Sequence, residues 1–250
     1  MNNIVLLSEI HQIAPSLVNR AFPNAGVKFN ALFQAINWYP FLFNPEDELW
    51  VMNSIHVDNT LDIIQSIAQR VAAKEMSLVI RDWPHLDFIG KPYLQHPTYQ
   101  MSMQENLHTH FSLHEAFIVR HPIAQFLSMI NSGSAHDYMK DETGVKHFLR
   151  GYRAFAEIAK DGNFIRYEDF ISSPECIIEI LAGQLNINFD PAYTERWKHY
   201  TNITGDTKRM ASQEICRENY FVFEKVYKRF FVESADFKCA IELLGYEEDL

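Results

Sequence analysis

"EAFIVRHPIAQFLSMI", residues 115–130, holds a strand, a helix start and an arginine between them. Residues 115–120 are a short apolar run that ends in charge, the pattern of a strand buried in a parallel sheet. Pro122 has a φ already suited to a first helical turn and no N–H to waste there, so a helix is expected to begin at once. Arg120 stands where the strand stops, and Ser128 follows eight residues later. An arginine so placed presents a planar fork to a phosphate, with the new helix's backbone N–H groups and dipole beside it. The other reading of the same residues is an arginine paired with a carboxylate and a serine on a helix surface.

Working outward, the same alternation recurs. "IVLL" (4–7) reads as a buried strand, followed by "SEIHQIAP" as a loop. Short helices are expected at 14–22 and 28–36, and an irregular aromatic stretch at 37–58, where Pro40 and Pro45 interrupt any helix. Leu61, Ile64, Ile67, Ala68 and Val71 recur at helical spacing within 59–75. Asn59 or Thr60 is available to cap that helix. "MSLVIRDW" (76–83) is a second strand. Helices follow at 102–112 and 142–160, a third strand-like run at 163–170, and a helix at 173–185 with Pro174 in its first turn. Residues 197–219 are polar and loop-rich, and a last helix over 234–244 ends at Gly245. Strands and helices in alternation predict an α/β protein, a three-layer parallel sheet flanked by helices, as a single domain over 1–250 with a loop-rich part at 197–250. In such sheets ligands sit off the carboxyl ends of the strands, which points to "SEIH", "RDWPH", "RHP" and "YEDF".

Composition narrows the classes. The 250 residues carry a net charge of −10, which excludes the broad basic footprint of a nucleic-acid or anionic-membrane binder. Cys176, Cys216 and Cys239 are scattered, with neither a CxxC pair nor zinc-ligand spacing, so no metal is expected and reduced thiols of a cytoplasmic protein fit. No apolar run reaches the ~18 residues of a membrane span, and "MNNIVLLSEIH" lacks the basic start of a secretory signal.

"FIVRHPIAQFLSMI" resembles the 3′-phosphate-binding segment of the sulfotransferases that use 3′-phosphoadenosine 5′-phosphosulfate (PAPS). In that family an Arg ends a strand, a Pro stands two residues on and a Ser eight residues on, as do Arg120, Pro122 and Ser128. "FIRYEDFISSPECIIEILAGQLNINFD" is similar to the family's later strand and helix, and "LVIRDWPHLDF" to the middle strand of bacterial members. The resemblance covers most of residues 4–190. It implies a P-loop NTPase-like sulfotransferase fold, PAPS as co-substrate, and an acceptor hydroxyl on a small molecule or carbohydrate. It further implies that Arg120 and Ser128 hold the 3′-phosphate and that Tyr167 lies near the adenine. Glu168 and Asp169 are expected to cap or pair locally. Lys208, Arg209 and Arg217 stand where the family has a basic loop, Arg209 being the residue chosen for the cofactor, or form a solvated loop.

Sulfuryl transfer needs the acceptor hydroxyl to lose a proton. Glu9 in "LLSEIHQIAP" matches the position of the general base of tyrosylprotein sulfotransferases; a capping acid in a loop is the other reading. His85 in "RDWPH" is the competing base, by comparison with the catalytic His of cytosolic members, although the local order here is Trp-Pro-His. Arg81 and Asp82 are candidates for ordering the site, and His11 for lining the acceptor pocket. Trp38, Tyr39 and Trp50 either line that pocket or belong to the core. The family's glycine-rich loop for the 5′-phosphosulfate is missing, since none of the nine glycines has the strand–loop–helix setting. By the resemblance, a first strand, that loop and a helix of roughly 25 to 35 residues would precede Met1. Residues 1–250 are then expected to carry the 3′-phosphate half of the cofactor site and to act poorly. Two alternatives remain: a non-catalytic binding protein of the same fold, and a small-molecule kinase with Asp82 as its one candidate magnesium ligand. The residues do not specify the acceptor or the oligomeric state.

Overall fold

The computed structural model describes residues 3–14, 26–54, 60–132, 136–197, 199–202, 204 and 221–247. Two compact units make up the chain, interleaved along the sequence. The first takes Met1–Leu86, Met101–Leu113 and Asp190–Thr207; the second takes Asp87–Gln100, His114–Phe189 and Lys208–Leu250. No helix among the described residues is long and apolar enough to cross a membrane.

In the first unit, strand β1 (Ile4–Ile10) pairs in parallel with β2 (Ser77–Asp82), from Ile4 opposite Ser77 to Ser8 opposite Arg81. Val5, Leu7 and Ile10 are fully buried. They pack on helix α1 (Ala31–Trp38), through Leu32 and Ala35, and on helix α2 (Thr60–Ala72), through Ile63, Ile64, Ile67 and Val71. The loop expected from Ser8 onward is instead strand as far as Ile10. A bulge makes this possible: the register shifts between Ser8 and Ile10, and Glu9 takes up the extra residue with a left-handed φ of 54°. The expected helix at 28–36 is α1, entered by a 3-10 turn at Gly26–Phe29 and capped by Asn30, whose side chain accepts from the Phe33 N–H. The stretch expected to be irregular contains a helix at Glu48–Ser54. Most of the helix expected at 14–22 lies outside the described residues.

β2 occupies one edge of β1. On the other edge two side chains do the work of a neighbouring strand. The Tyr39 hydroxyl accepts from the Leu6 N–H at 3.0 Å and donates to the Leu6 carbonyl at 3.1 Å. The Gln34 amide, fully buried, accepts from the Ser8 N–H at 2.8 Å and donates to the Ser8 and Lys28 carbonyls, each at 2.7 Å. Thr204 adds a hydroxyl donated to the Ser8 carbonyl at 3.1 Å.

In the second unit β3 (Phe117–Val119) pairs in parallel with β4 (Phe164–Arg166). The expected single sheet is therefore found, among the described residues, as two parallel two-stranded pairs, one in each unit. β4 is shorter than the run at 163–170 suggested, because Tyr167 already begins a helix (Tyr167–Ser172). Helix α3 (Pro122–Ser132) starts at the predicted proline, and α4 (Glu142–Asp161) is capped by Asp141, which accepts from the Gly144 N–H at 2.8 Å. The stretch expected to be loop-rich holds a helical segment over 221–232 before the last helix, α5 (Ala235–Leu244). Gly245 closes α5 with a φ of 64°, as its position suggested. The core of this unit is aromatic: Phe126, Phe148, Phe223, Phe231 and Phe237 are essentially inaccessible, with Phe231 edge-on to both Phe126 and Phe237.

The segment 87–100 is fastened to α4. The His147 imidazole Nε2 meets the Ile89 carbonyl at 2.6 Å, and a Cβ on Gly151 would stand 2.1 Å from the Phe88 carbonyl oxygen. Gly151→Ala is therefore expected to destabilise the protein by about 2 kcal/mol through forced separation of that contact. Urea unfolding measures it, and an unchanged midpoint would refute the close approach.

Candidate functional site

Arg120 and Tyr167 come together at the carboxyl ends of β3 and β4. The Arg120 guanidinium lies 4.9 Å from the Tyr167 ring centre, a cation–π contact on a half-buried side chain. It pairs with no carboxylate among the described residues. Ser128, half-buried two turns into α3, makes no side-chain hydrogen bond among the described residues.

One expectation is corrected here. The N–H groups that open α3 are largely spent within the protein: the His121 N–H donates to Glu168 Oε1 at 2.8 Å, and the Ile123 N–H donates to His121 Nδ1 at 3.3 Å. These two N–H groups are therefore already engaged at this strand end. Glu168, expected to cap or pair locally, does cap, but at the start of α3 on the neighbouring strand's side and not on its own helix. Its second oxygen accepts from the Tyr246 hydroxyl at 2.8 Å. The Tyr152 hydroxyl donates to the Arg120 carbonyl. Burial, reinforced by the Glu168 charge, pushes both phenols well above their usual range, so both stay donors at neutral pH. Arg166 donates to the Leu244 carbonyl at 3.1 and 2.7 Å and to the Gly245 carbonyl at 2.7 Å, and stacks 5.0 Å from the Tyr246 ring. Sequence reasoning missed Tyr152, His121 and Tyr246. The one local signal for Tyr246 is its place just after the helix-ending glycine, where a side chain can fold back on the structure.

In the first unit, Glu9 sits on the bulge at the carboxyl end of β1. Its Oε1 pairs with Arg81 at 2.8 Å, and the side chain is 18% exposed. Oε2 has no hydrogen bond among the described residues. A bulge aims one side chain out of the ladder, and here it aims a carboxylate. His85 begins a one-turn helix and lies in an aromatic stack, 6.2 Å from the Trp83 ring, which is itself 4.6 Å from Phe29. His11 is buried, with Nε2 at 3.1 Å from the Ser102 hydroxyl and Nδ1 accepting from the Ile13 N–H, so it is part of the packing and not a lining residue. Asp82 accepts from the Trp83 N–H at 2.6 Å. Tyr39 belongs to the core cluster, and Trp38 and Trp50 are partly buried and pack against it. Lys208, Arg209 and Arg217 lie outside the described residues. Among the described residues no group of three His, Cys, Asp or Glu side chains has the arrangement to hold a metal.

No family model matches the chain, and no curated protein matches it. Solved structures do. The sulfotransferase domain from the Synechococcus PCC 7002 olefin synthase superposes with a TM-score of 0.55 at 15% identity, covering 98% of this chain and 94% of that one. The sulfotransferase domain from the curacin biosynthetic pathway superposes with a TM-score of 0.54 at 11% identity, covering 98% and 97%. The likeness is one of fold.

Proposed function

We propose that this chain, whose fold is that of a sulfotransferase domain, takes PAPS as co-substrate and directs its sulfuryl group to an acceptor hydroxyl. Arg120 carries the reading. It is a half-buried cationic fork at a strand end, backed by an aromatic ring and unclaimed by any acid among the described residues. That chemistry suits the 3′-phosphate. Ser128 contributes an uncommitted hydroxyl, and Tyr167 an aromatic face for the adenine. In the reaction the acceptor oxygen attacks sulfur and gives its proton to Glu9 Oε2. The bond from sulfur to the 5′-phosphate oxygen breaks, and adenosine 3′,5′-bisphosphate leaves. Arg81 holds the other Glu9 oxygen and fixes the carboxylate's direction. Glu9 is preferred to His85, whose ring is engaged in stacking.

The residues fit the 3′ end of PAPS better than the 5′ end. Among the glycines in described positions, Gly26 opens the 3-10 turn before α1, Gly90 stands in the segment 87–100 with a φ of 69°, Gly144 and Gly151 lie inside α4, Gly183 inside the helix Pro174–Gln184, and Gly162 and Gly245 at helix ends. No two of these described glycines share one strand-to-helix loop. The chain is expected to bind the nucleotide and to turn over slowly.

Calorimetry with adenosine 3′,5′-bisphosphate and with ATP tests the nucleotide assignment, and a radiolabelled sulfate-transfer assay tests the chemistry. The expected result is binding of the bisphosphate at least about tenfold tighter than ATP, as one extra charge-assisted phosphate contact provides, with transfer near background. Equal or tighter ATP binding would favour the kinase reading. Transfer at the rate of a competent sulfotransferase would remove the claim of impairment.

A further inference from the structure

We propose that Glu168 is a positioning residue for Arg120, and that Tyr246 holds Glu168 in that role; this rests on the reading of Arg120 as a phosphate anchor. A single peptide group joins Arg120 to His121, and both of its poles are gripped by side chains. The carbonyl accepts from the Tyr152 hydroxyl, and the N–H donates to Glu168 Oε1 at 2.8 Å. Because a peptide is planar, fixing its two poles fixes how the chain leaves β3, and so where the Arg120 side chain starts. The second Glu168 oxygen is taken by Tyr246 at 2.8 Å. Tyr246 is in turn held by the Arg166 guanidinium, 5.0 Å from its ring, and by the His121 ring edge-on at 5.1 Å. Arg166 ties this end of the chain down through the carbonyls of Leu244 and Gly245.

The arrangement also resolves an electrostatic conflict. A carboxylate one residue from Tyr167 would ordinarily repel a phosphate or capture Arg120 in an ion pair. Here each Glu168 oxygen accepts from a donor other than Arg120, and the guanidinium is left for a ligand. Glu168 acts through the Arg120–His121 peptide and not on the ligand.

The test compares adenosine 3′,5′-bisphosphate with adenosine 5′-monophosphate by calorimetry, because their difference isolates the 3′-phosphate. Loss of fold weakens both nucleotides alike, whereas loss of positioning weakens only the first. Glu168→Ala is expected to cut the bisphosphate affinity by about tenfold and leave the monophosphate unchanged. Glu168→Gln keeps an acceptor for the His121 N–H and is expected to restore most of the loss. Tyr246→Phe removes one hydroxyl from the second tier and is expected to cost the bisphosphate several-fold, about 3, with no change for the monophosphate. It serves as the deciding variant if Glu168→Ala does not fold. If Arg120→Ala abolishes the preference for the bisphosphate while the Glu168 and Tyr246 variants retain it, the positioning role is overturned. If the unaltered protein shows no preference, the phosphate-anchor reading fails first and takes the proposal with it.

Discussion

Arg120→Ala is expected to weaken binding of adenosine 3′,5′-bisphosphate by about a hundredfold and to leave the folded protein almost unchanged. A guanidinium fork on a phosphate makes two charge-assisted hydrogen bonds, each contributing about 1.5–3 kcal/mol when desolvated, so a loss of about 3 kcal/mol is a cautious sum. The folded state gives up little, because Arg120 forms no ion pair within the described protein and loses only its contact with the Tyr167 ring, worth about 0.5–1 kcal/mol at a partly exposed site. Arg120→Lys keeps the charge without the fork and should fall between the two. Calorimetric titration beside a thermal melt reads both quantities. An alanine variant that binds as tightly as the parent would end the assignment of Arg120.

The largest effect on stability is expected at Gln34. Gln34→Leu keeps a similar size but strips three hydrogen bonds from a fully buried position. The N–H and carbonyl of Ser8 and the carbonyl of Lys28 lose their partners, with only the Ser8 carbonyl keeping another in Thr204. Stranded buried groups cost about 1–3 kcal/mol each, so a loss of about 3–5 kcal/mol is expected. All four tryptophans, Trp38, Trp50, Trp83 and Trp197, fall in the same unit as Gln34. Their fluorescence during urea unfolding therefore follows the affected unit. A midpoint equal to the parent's would show that the amide is not a structural substitute for a strand.

Much of the fold follows from local patterns. Pro122 marked the start of α3, the apolar spacing from Leu61 to Val71 gave α2, and Gly245 ended α5 because the αL conformation it adopts favours glycine. The sequence marks Arg120 as the residue that ends a strand and Tyr167 through the family resemblance, and the structure brings the two side chains together. The bulge was not legible: glutamate has no preference for positive φ, and Glu9 adopts it only because Ser8 is gripped by Gln34 while Ile10 stays in register with Asp82. Glu168 and Tyr246 were equally silent. They lie 78 residues apart, and no periodicity links a strand-end acid to a tyrosine beyond the last helix. The helical segment at 221–232 was hidden by its aromatic residues, Phe223, Tyr227 and Phe231, which one unit's core claims for reasons of packing and not of helix propensity.

The tie between Arg166, Glu168 and Tyr246 has a consequence for how the protein is made. A ribosome releases the chain from its first residue onward, at about 5–20 residues per second, and domains begin to fold as they emerge. The strand carrying Arg120 emerges long before Tyr246. The hydroxyl that steadies Glu168, and the carbonyls that occupy Arg166, belong to residues 78 or 79 positions further along the chain. Arg120 therefore leaves the ribosome well before the residues that brace its strand end, and that brace closes only once residues 244–246 have emerged.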